Sequence, residues 1–404
     1  VEKIKRLRNH PSIAVWCGDN EGVPLAPLNE WLREDVRTFD GGDRWYQPIS
    51  REYGFSGSGP WTNAHPIWYF TAYPSGFGEH KLDGWGFRTE IGTAVFTNYE
   101  SYRKFMPDPD RWPMSQEMLD RHFFGRSSFN SRPDRYFATV EYNYGKASGT
   151  EDFCRKAQLI NYDSHRAMLE AWNSRMWNSA SGVLLWMSHP AWPSLEWQTY
   201  SWDFETHGSF YGCRKACEKL HVQANPHDGQ VLVVNTTRND CRRARVVVSR
   251  YTFDGKRLDG LSENVAVIAA NGVTPVTVLQ PLPGDPCHLL RLELFVEGKR
   301  VSVNDYLRSA DRNFTALNGV AAPELKARLL ESHDEAGSRC VRVEVANTAS
   351  TTAVAVKFNI RKAESGEAVL PAYISEGYIH LLPGERRIVE AEFPAADDTV
   401  FSAE

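Results

Sequence analysis

The chain has 404 residues and a formal net charge of −5, so it is long enough for two or three domains and lacks the basic surplus of a nucleic-acid-binding protein. No apolar run approaches the length that a transmembrane helix needs. Its seven cysteines are scattered, without the Cys/His spacing of a zinc site or the density of a disulfide framework. We therefore expect no nucleic-acid partner, no membrane span and no metal site.

The first half of the chain alternates short apolar runs with helical patterns. We predict strands at residues 13–16, 45–49, 84–92 and 182–187, and helices at residues 28–39 and about 151–178. The Gly-rich segments 54–59 and 73–78 are predicted loops, and the stretch between residue 90 and the second helix is a predicted loop excursion. This alternation is typical of βα units, so we predict the C-terminal part of a (β/α)8 TIM barrel in residues 1–220.

After residue 223 the pattern changes to short β-branched runs separated by turn residues. We predict strands at residues 230–234, 245–251, 264–269, 273–279, 289–296, 340–346, 352–360, 378–382 and 387–393. This spacing is typical of β-sandwiches. The predicted fold class is therefore α/β plus all-β, with one Ig-like β-sandwich in residues 221–312 and a second in residues 313–404.

Residues 7–21, with the sequence LRNHPSIAVWCGDNE, form the most informative segment. An apolar run ends in a polar loop that carries Asn20 and Glu21. Barrel hydrolases place their acid/base carboxylate at the C-terminal end of such a strand. A bare Asn-Glu pair means little, because Asn29-Glu30 repeats it and an isolated Glu21 would be a solvated loop carboxylate. The surrounding fifteen residues favour the catalytic interpretation.

This segment resembles the acid/base motif of glycoside hydrolase family 2. The motif has a basic residue, Asn-His-Pro-Ser, three apolar residues, Trp, a short loop and Asn-Glu, and Cys17 stands where the family usually has Gly or Ser. The resemblance implies that Glu21 is the acid/base and that Asn20 donates to the sugar 2-hydroxyl. It also implies an oligosaccharide or polysaccharide substrate, no cofactor and a secreted or periplasmic location.

A retaining glycosidase needs a second carboxylate about 5 to 5.5 Å from the first. Glu90 follows the run GWGFRT and lies 69 positions after Glu21, room for three short βα units. In the family the acid/base ends the fourth barrel strand and the nucleophile the seventh, so the resemblance implies that Glu90 is the nucleophile, with a donor such as Arg88 stabilising its charge. Three further carboxylates remain alternatives: Glu52, Glu79 and Glu100. Asp83, another nearby acid, is a predicted structural residue.

Three tryptophans are candidate sugar-binding residues, because aromatic faces stack on the C–H faces of sugar rings. Trp186 follows the last predicted barrel strand and resembles the tryptophan that forms the floor of the sugar subsite in this clan. Trp192 and Trp197 follow in the segment HPAWPSLEWQTY. Core packing is the alternative for each.

Residues 151–187 and 210–223 look like the branch of the family that contains exo-β-glucosaminidases and plant-type endo-β-mannosidases. Glucosaminidases often have Ser-Asp at the acid/base position, whereas this chain has Asn20-Glu21. We therefore expect a retaining β-glycosidase acting on β-mannosides or related β-glycosides. The alternatives are an exo-β-D-glucosaminidase and a non-catalytic carbohydrate-binding scaffold.

Family members carry an N-terminal sugar-binding sandwich, an Ig-like domain and three βα units ahead of this region. The chain begins at Val1 within a helical pattern. We therefore expect a C-terminal fragment whose partner is an upstream segment, and whose activity is lost when it stands alone.

Overall fold

The computed structural model describes residues 1–61, 63–71, 85–125, 133–395 and 398–404. These residues divide into two compact units. The first comprises residues 1–60, 85–92 and 175–186, and the second comprises the remaining described residues. Among the described helices, none is both long and apolar enough to cross a membrane.

The helices of the described residues are α1 Glu2–Leu7, α2 Leu28–Phe39, α3 Pro66–Thr71, α4 Tyr99–Phe105, α5 Asp108–Arg111, α6 Gln116–Arg121, α7 Pro133–Tyr144, α8 Thr150–Asn173 and α9 Gly208–Ala216. A 3-10 helix spans Thr315–Gly319. The strands of the first half are β1 Val15–Asp19, β2 Trp45–Ile49, β3 Ser58–Pro60, β4 Gly86–Gly92 and β5 Ala180–Leu185.

The remaining strands are β6 Leu220–Ala224, β7 Gln230–Asn235, β8 Cys241–Tyr251, β9 Arg257–Ile268, β10 Gly272–Val278, β11 His288–Val296, β12 Lys299–Arg308, β13 Leu325–Glu335, β14 Ser338–Asn347, β15 Ala353–Val356, β16 Phe358–Lys362, β17 Tyr373–Ile374, β18 Ile379–Leu381, β19 Arg386–Pro394 and β20 Thr399–Ala403.

All strands of the first unit pair in parallel. β1 pairs with β2, and β3, β4 and β5 form a second sheet in that order. The predicted bounds of α2 and β2 are confirmed. An amphipathic pattern marks α2, and a short run with strand-forming residues marks β2. β1 begins two residues later than predicted and extends to Asp19, so Asn20 and Glu21 follow it directly.

Three predictions in this half of the chain were wrong. The predicted excursion after Glu90 contains helices α4 to α7, and the aromatic residues that suggested a loop fill a core around Tyr102, Phe124 and Tyr136. The helix predicted to reach residue 178 ends at Asn173 because the next residues form a turn around the carbonyl of Arg175. The predicted loop 54–59 contains the start of strand β3.

Helix α8 is the central element of the second unit, and helix α9 packs closely against it. Gly208 and Gly212 lie where an added Cβ would overlap the carbonyl oxygens of Gln158 and Tyr162 on α8. The two helix backbones can therefore approach each other only because these positions are glycine.

The second half of the chain forms antiparallel sheets. β6, β7 and β10 form one sheet, β8, β9, β11 and β12 form another, and both contribute to one apolar core that includes Val222, Val233, Val246 and Leu292. A separate core lies among β13 to β20. The sequence missed β6, β12, β13, β17 and β20. In β6 the polar residues His221 and Gln223 are buried, which the sequence alone does not reveal, and β13 is mostly exposed.

Candidate active site

Glu21 lies on the turn that directly follows β1. Its backbone has a φ of 52°, in the left-handed region that non-glycine residues avoid. The Glu21 N–H donates to Ser50 Oγ at 2.8 Å, and Ser50 Oγ donates to Asn20 Oδ1 at 3.4 Å. The end of β2 therefore holds the strained turn and fixes the direction of Glu21.

The carboxylate of Glu21 has two partners. Ser58 Oγ on β3 donates to Glu21 Oε1 at 2.6 Å, and Arg51 Nη1 lies 4.0 Å from the same oxygen. The Glu21 side chain is 37% exposed. It is thus fixed on one side and open to solvent on the other, as an acid/base that meets a substrate requires.

Glu90 lies within β4, two residues before the strand ends at Gly92. Its Cα pairs in register with that of Ser58 on the adjacent parallel strand. Paired residues of neighbouring strands lie about 4.8 Å apart and direct their side chains to the same face of the sheet. Because Ser58 binds Glu21, both carboxylates lie on the face that carries the Ser58 hydroxyl.

Charge also couples the two glutamates. Burial raises the pKa of Glu90, and the negative charge of Glu21 raises it further. The positive charge of Arg51 acts in the opposite direction and lowers the pKa of Glu90. Glu21, Glu90 and Arg51 therefore form one electrostatic group, in which the charge of Glu21 disfavours the ionised form of Glu90 and the charge of Arg51 favours it.

Arg88 and Thr89 fix the backbone around this group. Arg88, the donor that the sequence suggested for Glu90, donates from Nη1 and Nη2 to the backbone carbonyl oxygens of Ser56 and Ser58, at 2.6 and 2.8 Å. Thr89 Oγ1 donates to the carbonyl oxygen of Ser50 at 2.5 Å. β4 thereby holds the chain segments that carry Ser50 and Ser58.

Trp186 lies in the same unit as the glutamates, directly after β5. The backbone N–H of Trp186 donates to the backbone carbonyl oxygen of Ile91 at 2.9 Å, next to the end of β4. Its side chain is 42% exposed, so Trp186 is not a core residue.

Trp192 and Trp197 lie in the other unit. Trp192 is exposed and its ring stacks on His122, with 6.0 Å between ring centroids. Trp197 is half-buried and packs against Trp61 at 4.9 Å. Trp192 therefore presents a free edge, whereas part of Trp197 is packed within its own unit.

The alternative carboxylates differ in their surroundings. Glu100 forms ion pairs with Arg361 at 2.9 Å and Lys357 at 3.6 Å; burial alone would raise its pKa, but these cations lower it to about 2. Glu100 is therefore a structural ion-pair residue. Glu52 is half-buried, with a φ of 68°. Glu79, Asp83 and the predicted loop 73–78 lie outside the described residues.

Sequence reasoning missed Ser50, Arg51 and Ser58, which hold the two glutamates. Ser50 and Arg51 directly follow β2. The rule that functional residues follow barrel strands could have identified them. Ser58 lies in the Gly-rich segment that was predicted to be a loop, so no pattern marked it.

Comparisons with known proteins agree with these observations. The family model of the exo-β-D-glucosaminidase Ig-fold domain matches residues 306–402, which confirms an Ig-like domain there. The mannosylglycoprotein endo-β-mannosidase of Lilium longiflorum is 29% identical over 83% of this chain and 39% of its own length. The exo-β-D-glucosaminidase of Amycolatopsis orientalis is 23% identical over 98% of this chain and 41% of its own length.

Solved structures show the same fold. The Amycolatopsis orientalis exo-chitosanase superposes with a TM-score of 0.84 at 22% identity, over 99% of this chain and 52% of that one. The β-D-mannosidase of Dictyoglomus thermophilum gives 0.71 at 17% identity, over 99% of this chain and 50% of that one. The chain thus spans about half the length of the proteins it matches. These comparisons support a resemblance to the exo-β-D-glucosaminidase and endo-β-mannosidase branch of glycoside hydrolase family 2.

Proposed function

We propose that the protein containing this chain is a retaining β-glycosidase, with Glu21 as acid/base and Glu90 as nucleophile. The observation that carries the proposal is the position of Ser58, which binds the carboxylate of Glu21 and pairs in register with Glu90. This relationship supports placing both carboxylates on one face of a sheet, and double displacement requires two carboxyl groups about 5 Å apart on such a face.

The reaction proceeds in two steps. Glu90 attacks the anomeric carbon while Glu21 gives its proton to the glycosidic oxygen, so the C–O bond breaks and a glycosyl ester of Glu90 forms. Glu21 then takes a proton from water, the resulting hydroxide attacks the anomeric carbon, and Glu90 leaves as a carboxylate.

Asn20 and Trp186 are the proposed contacts to the sugar at the reacting position. Asn20 Oδ1 accepts from Ser50 Oγ, which leaves the amide nitrogen as the end that can donate to the sugar 2-hydroxyl. The exposed indole of Trp186 beside the end of β4 supports its role as a stacking surface. Trp192 and Trp197 remain predicted sugar-binding residues.

We also propose that β1 to β5 are strands four to eight of a (β/α)8 barrel. Glu21 then follows the fourth strand and Glu90 lies on the seventh, because β4 is three strands after β1. Closing such a barrel takes three more strands, so an upstream segment must supply them. We assign residues 1–220 to this barrel, residues 221–312 to one Ig-like sandwich and residues 313–404 to a second.

Neutral β-glycosides, and β-mannosides in particular, are the proposed substrates. Arg51 places a positive charge 4.0 Å from the Glu21 carboxylate, and a cation in the site disfavours an ammonium-bearing sugar. The relative that is 29% identical to this chain is named a mannosylglycoprotein endo-β-mannosidase. The second candidate is an exo-β-D-glucosaminidase, because several relatives and the matching Ig-fold family carry that name.

The test uses the full-length protein that contains this chain, with aryl β-mannoside and aryl β-glucosaminide as substrates. We expect Glu90→Ala to lose turnover by several orders of magnitude. Added azide should restore release of the aryl alcohol and yield the α-glycosyl azide, because azide can attack the face that Glu90 vacates. Glu52→Ala is the matched control and should keep wild-type turnover. A wild-type protein that binds sugars but cleaves neither substrate would overturn the proposal and favour a binding scaffold.

A further inference from the structure

A cleft in the second unit is lined mainly by aromatic rings. It has a volume of about 330 Å³ and contains none of the candidate active-site residues. Its principal lining residues are His189, Tyr200, Phe204, Phe210, Arg214 and Tyr373. Such a volume is sufficient for one or two sugar units.

Phe204 is held in an unfavourable position at this cleft. Its backbone φ of 68° lies in the left-handed region, and its ring is 52% exposed. Strained backbone and an exposed apolar ring both oppose folding, and neither is needed to fill the core. Phe204 therefore contributes an exposed aromatic face to the cleft.

The turn that carries Phe204 is anchored on both sides. Asp203 accepts from Ser101 Oγ at 2.8 Å and forms an ion pair with Lys104. Glu205 forms an ion pair with the buried Lys357 at 2.8 Å. Burial alone would lower the pKa of Lys357, but its carboxylate neighbours raise it well above the usual range, so Lys357 stays charged.

The Phe204 ring and the His189 ring form a flat pair. Their planes are 9° apart and their centroids 4.7 Å apart. Tyr373, which is 66% exposed, lines the cleft as well, and the hydroxyls of Tyr200 and Thr206 and the guanidinium of Arg214 supply polar groups. Flat rings bordered by hydroxyl and guanidinium donors match a sugar, which has apolar C–H faces and polar edges.

A second, more polar cleft continues from the first. It has a volume of about 420 Å³ and shares Arg214, Tyr373 and Ile374 with the aromatic cleft. Its carboxylates Glu331 and Glu390 pair with Arg342, at 2.7 and 3.4 Å. A ligand longer than two sugar units can therefore stack in the first cleft and hydrogen-bond in the second.

We propose that these joined clefts form a further carbohydrate-binding site for neutral β-linked oligosaccharides. The choice of a carbohydrate rests on the proposed function. The choice of a neutral one rests on the lining of the aromatic cleft alone, where Arg214 is the charged group among the described residues and no carboxylate could pair with an ammonium-bearing sugar. The second cleft does carry carboxylates, and two of them, Glu331 and Glu390, already pair with Arg342.

The test measures binding in the full-length protein carrying Glu90→Ala, so that the ligand is not consumed. Titration calorimetry with β-1,4-manno-oligosaccharides of two to six units should show tighter binding of the longer ones. Phe204→Ala and Tyr373→Ala should each weaken binding of the longest oligosaccharide by about two- to tenfold. Phe204→Trp keeps an aromatic face for stacking and should retain the parental affinity. Tyr142→Ala, which removes an aromatic side chain that is also 52% exposed, is the control and should bind as the parent does.

Equal affinities of the parent and both alanine variants would overturn the inference, as would equal or tighter binding of glucosamine oligomers. Tyr373 lies on the two-residue strand β17, apart from the anchored turn that carries Phe204. Tyr373→Ala therefore tests the site even if Phe204→Ala alters that turn. Hydrolysis of aryl glycosides tests Glu21 and Glu90 separately, so either proposal can fail without the other.

Discussion

Ser58, on the strand β3 that pairs with β4, donates a hydrogen bond of 2.6 Å to the carboxylate of Glu21. We predict that Ser58→Ala lowers kcat/KM about ten- to hundredfold, because a hydrogen bond to a charged group contributes about 1.5–3 kcal/mol and about 1.4 kcal/mol corresponds to a factor of ten. The loss should be larger for methyl β-glycosides than for dinitrophenyl β-glycosides, since good leaving groups do not need a proton from Glu21. Steady-state kinetics on both substrates measures this.

Ser56→Ala is the matched control for this prediction. Ser56 is buried two residues earlier, and its hydroxyl has no hydrogen-bond partner among the described residues. We expect it to leave the ratio of the two rates unchanged. A Ser58→Ala loss of the same size on both substrates would show that Ser58 does not position the acid.

Glu21→Gln should lower the pKa of Glu90. Burial and the charge of Glu21 both raise that pKa, and the neutral amide removes the second cause. A nucleophile must be ionised, so the acid limb of kcat/KM should move to lower pH. The measurement uses a dinitrophenyl β-glycoside over a pH series. An acid limb that stays in place would contradict the coupling between the two carboxylates.

Arg51→Met should shift the acid limb of kcat/KM to higher pH, opposite to the shift expected for Glu21→Gln. The positive charge of Arg51 lowers the pKa of Glu90, so its removal lets the pKa rise and moves the acid limb to higher pH. Arg51→Lys keeps the charge and serves as the control. The ratio of glucosaminide to mannoside turnover should also rise in Arg51→Met, because the repelling cation is absent. If Arg51→Met changed neither the glucosaminide-to-mannoside turnover ratio nor the acid limb of the pH profile, Arg51 would have no role in the site.

His221 links the buried carboxylate of Glu170 and the half-buried carboxylate of Glu218 in the second unit. Its Nε2 lies 3.0 Å from Glu170 Oε1 and its Nδ1 lies 3.1 Å from Glu218 Oε2. Burial alone would lower its pKa, but the carboxylates raise it above 6.5. Its contribution to stability is therefore complete below about pH 6.5, the ordinary histidine value, and disappears as pH rises through the folded pKa.

We predict that His221→Ala destabilises the folded protein by about 3–5 kcal/mol at pH 6, because it leaves the buried carboxylate of Glu170 without its hydrogen-bonded cation. Glu218 keeps its ion pair with Lys215 at 2.6 Å. The free energy of unfolding, measured by denaturant titration from pH 6 to pH 9, should decline less steeply than in the parent. His333→Ala, at an exposed position, is the control. A variant with the parental slope would show that His221 is not charged in the folded state.

Gly212→Ala should destabilise the contact between α8 and α9. The added methyl group would overlap the carbonyl oxygen of Tyr162, at a cost of about 1–3 kcal/mol, which outweighs the gain of about 1 kcal/mol from higher helix propensity. Thermal unfolding of the full-length protein measures the change. Gly319→Ala, where no atom lies within 4 Å of the added Cβ, should leave the midpoint within a degree or two. Equal midpoints for the two variants would contradict the close packing of the helices.

The order of strands and helices was largely readable from residue patterns. The apolar stripe of α2 and the β-rich run of β2 fix their bounds locally, and the motif around Glu21 lies directly after β1, where the resemblance placed it. Errors arose where aromatic and polar residues mix, as in α4 to α7 and in β13, because burial there depends on partners that are distant in the sequence.

By itself, the sequence determined the family resemblance, the candidate glutamates and the change from parallel to antiparallel architecture, because each of these depends on residues that are close together in the chain. The tertiary structure alone decided which side chains hold the pair. Ser50, Arg51 and Ser58 lie 29 to 37 positions from Glu21, and strand pairing brings them into contact with it. Hydrogen bonding and Coulomb energy depend on distance in space, and separation along the chain does not report that distance.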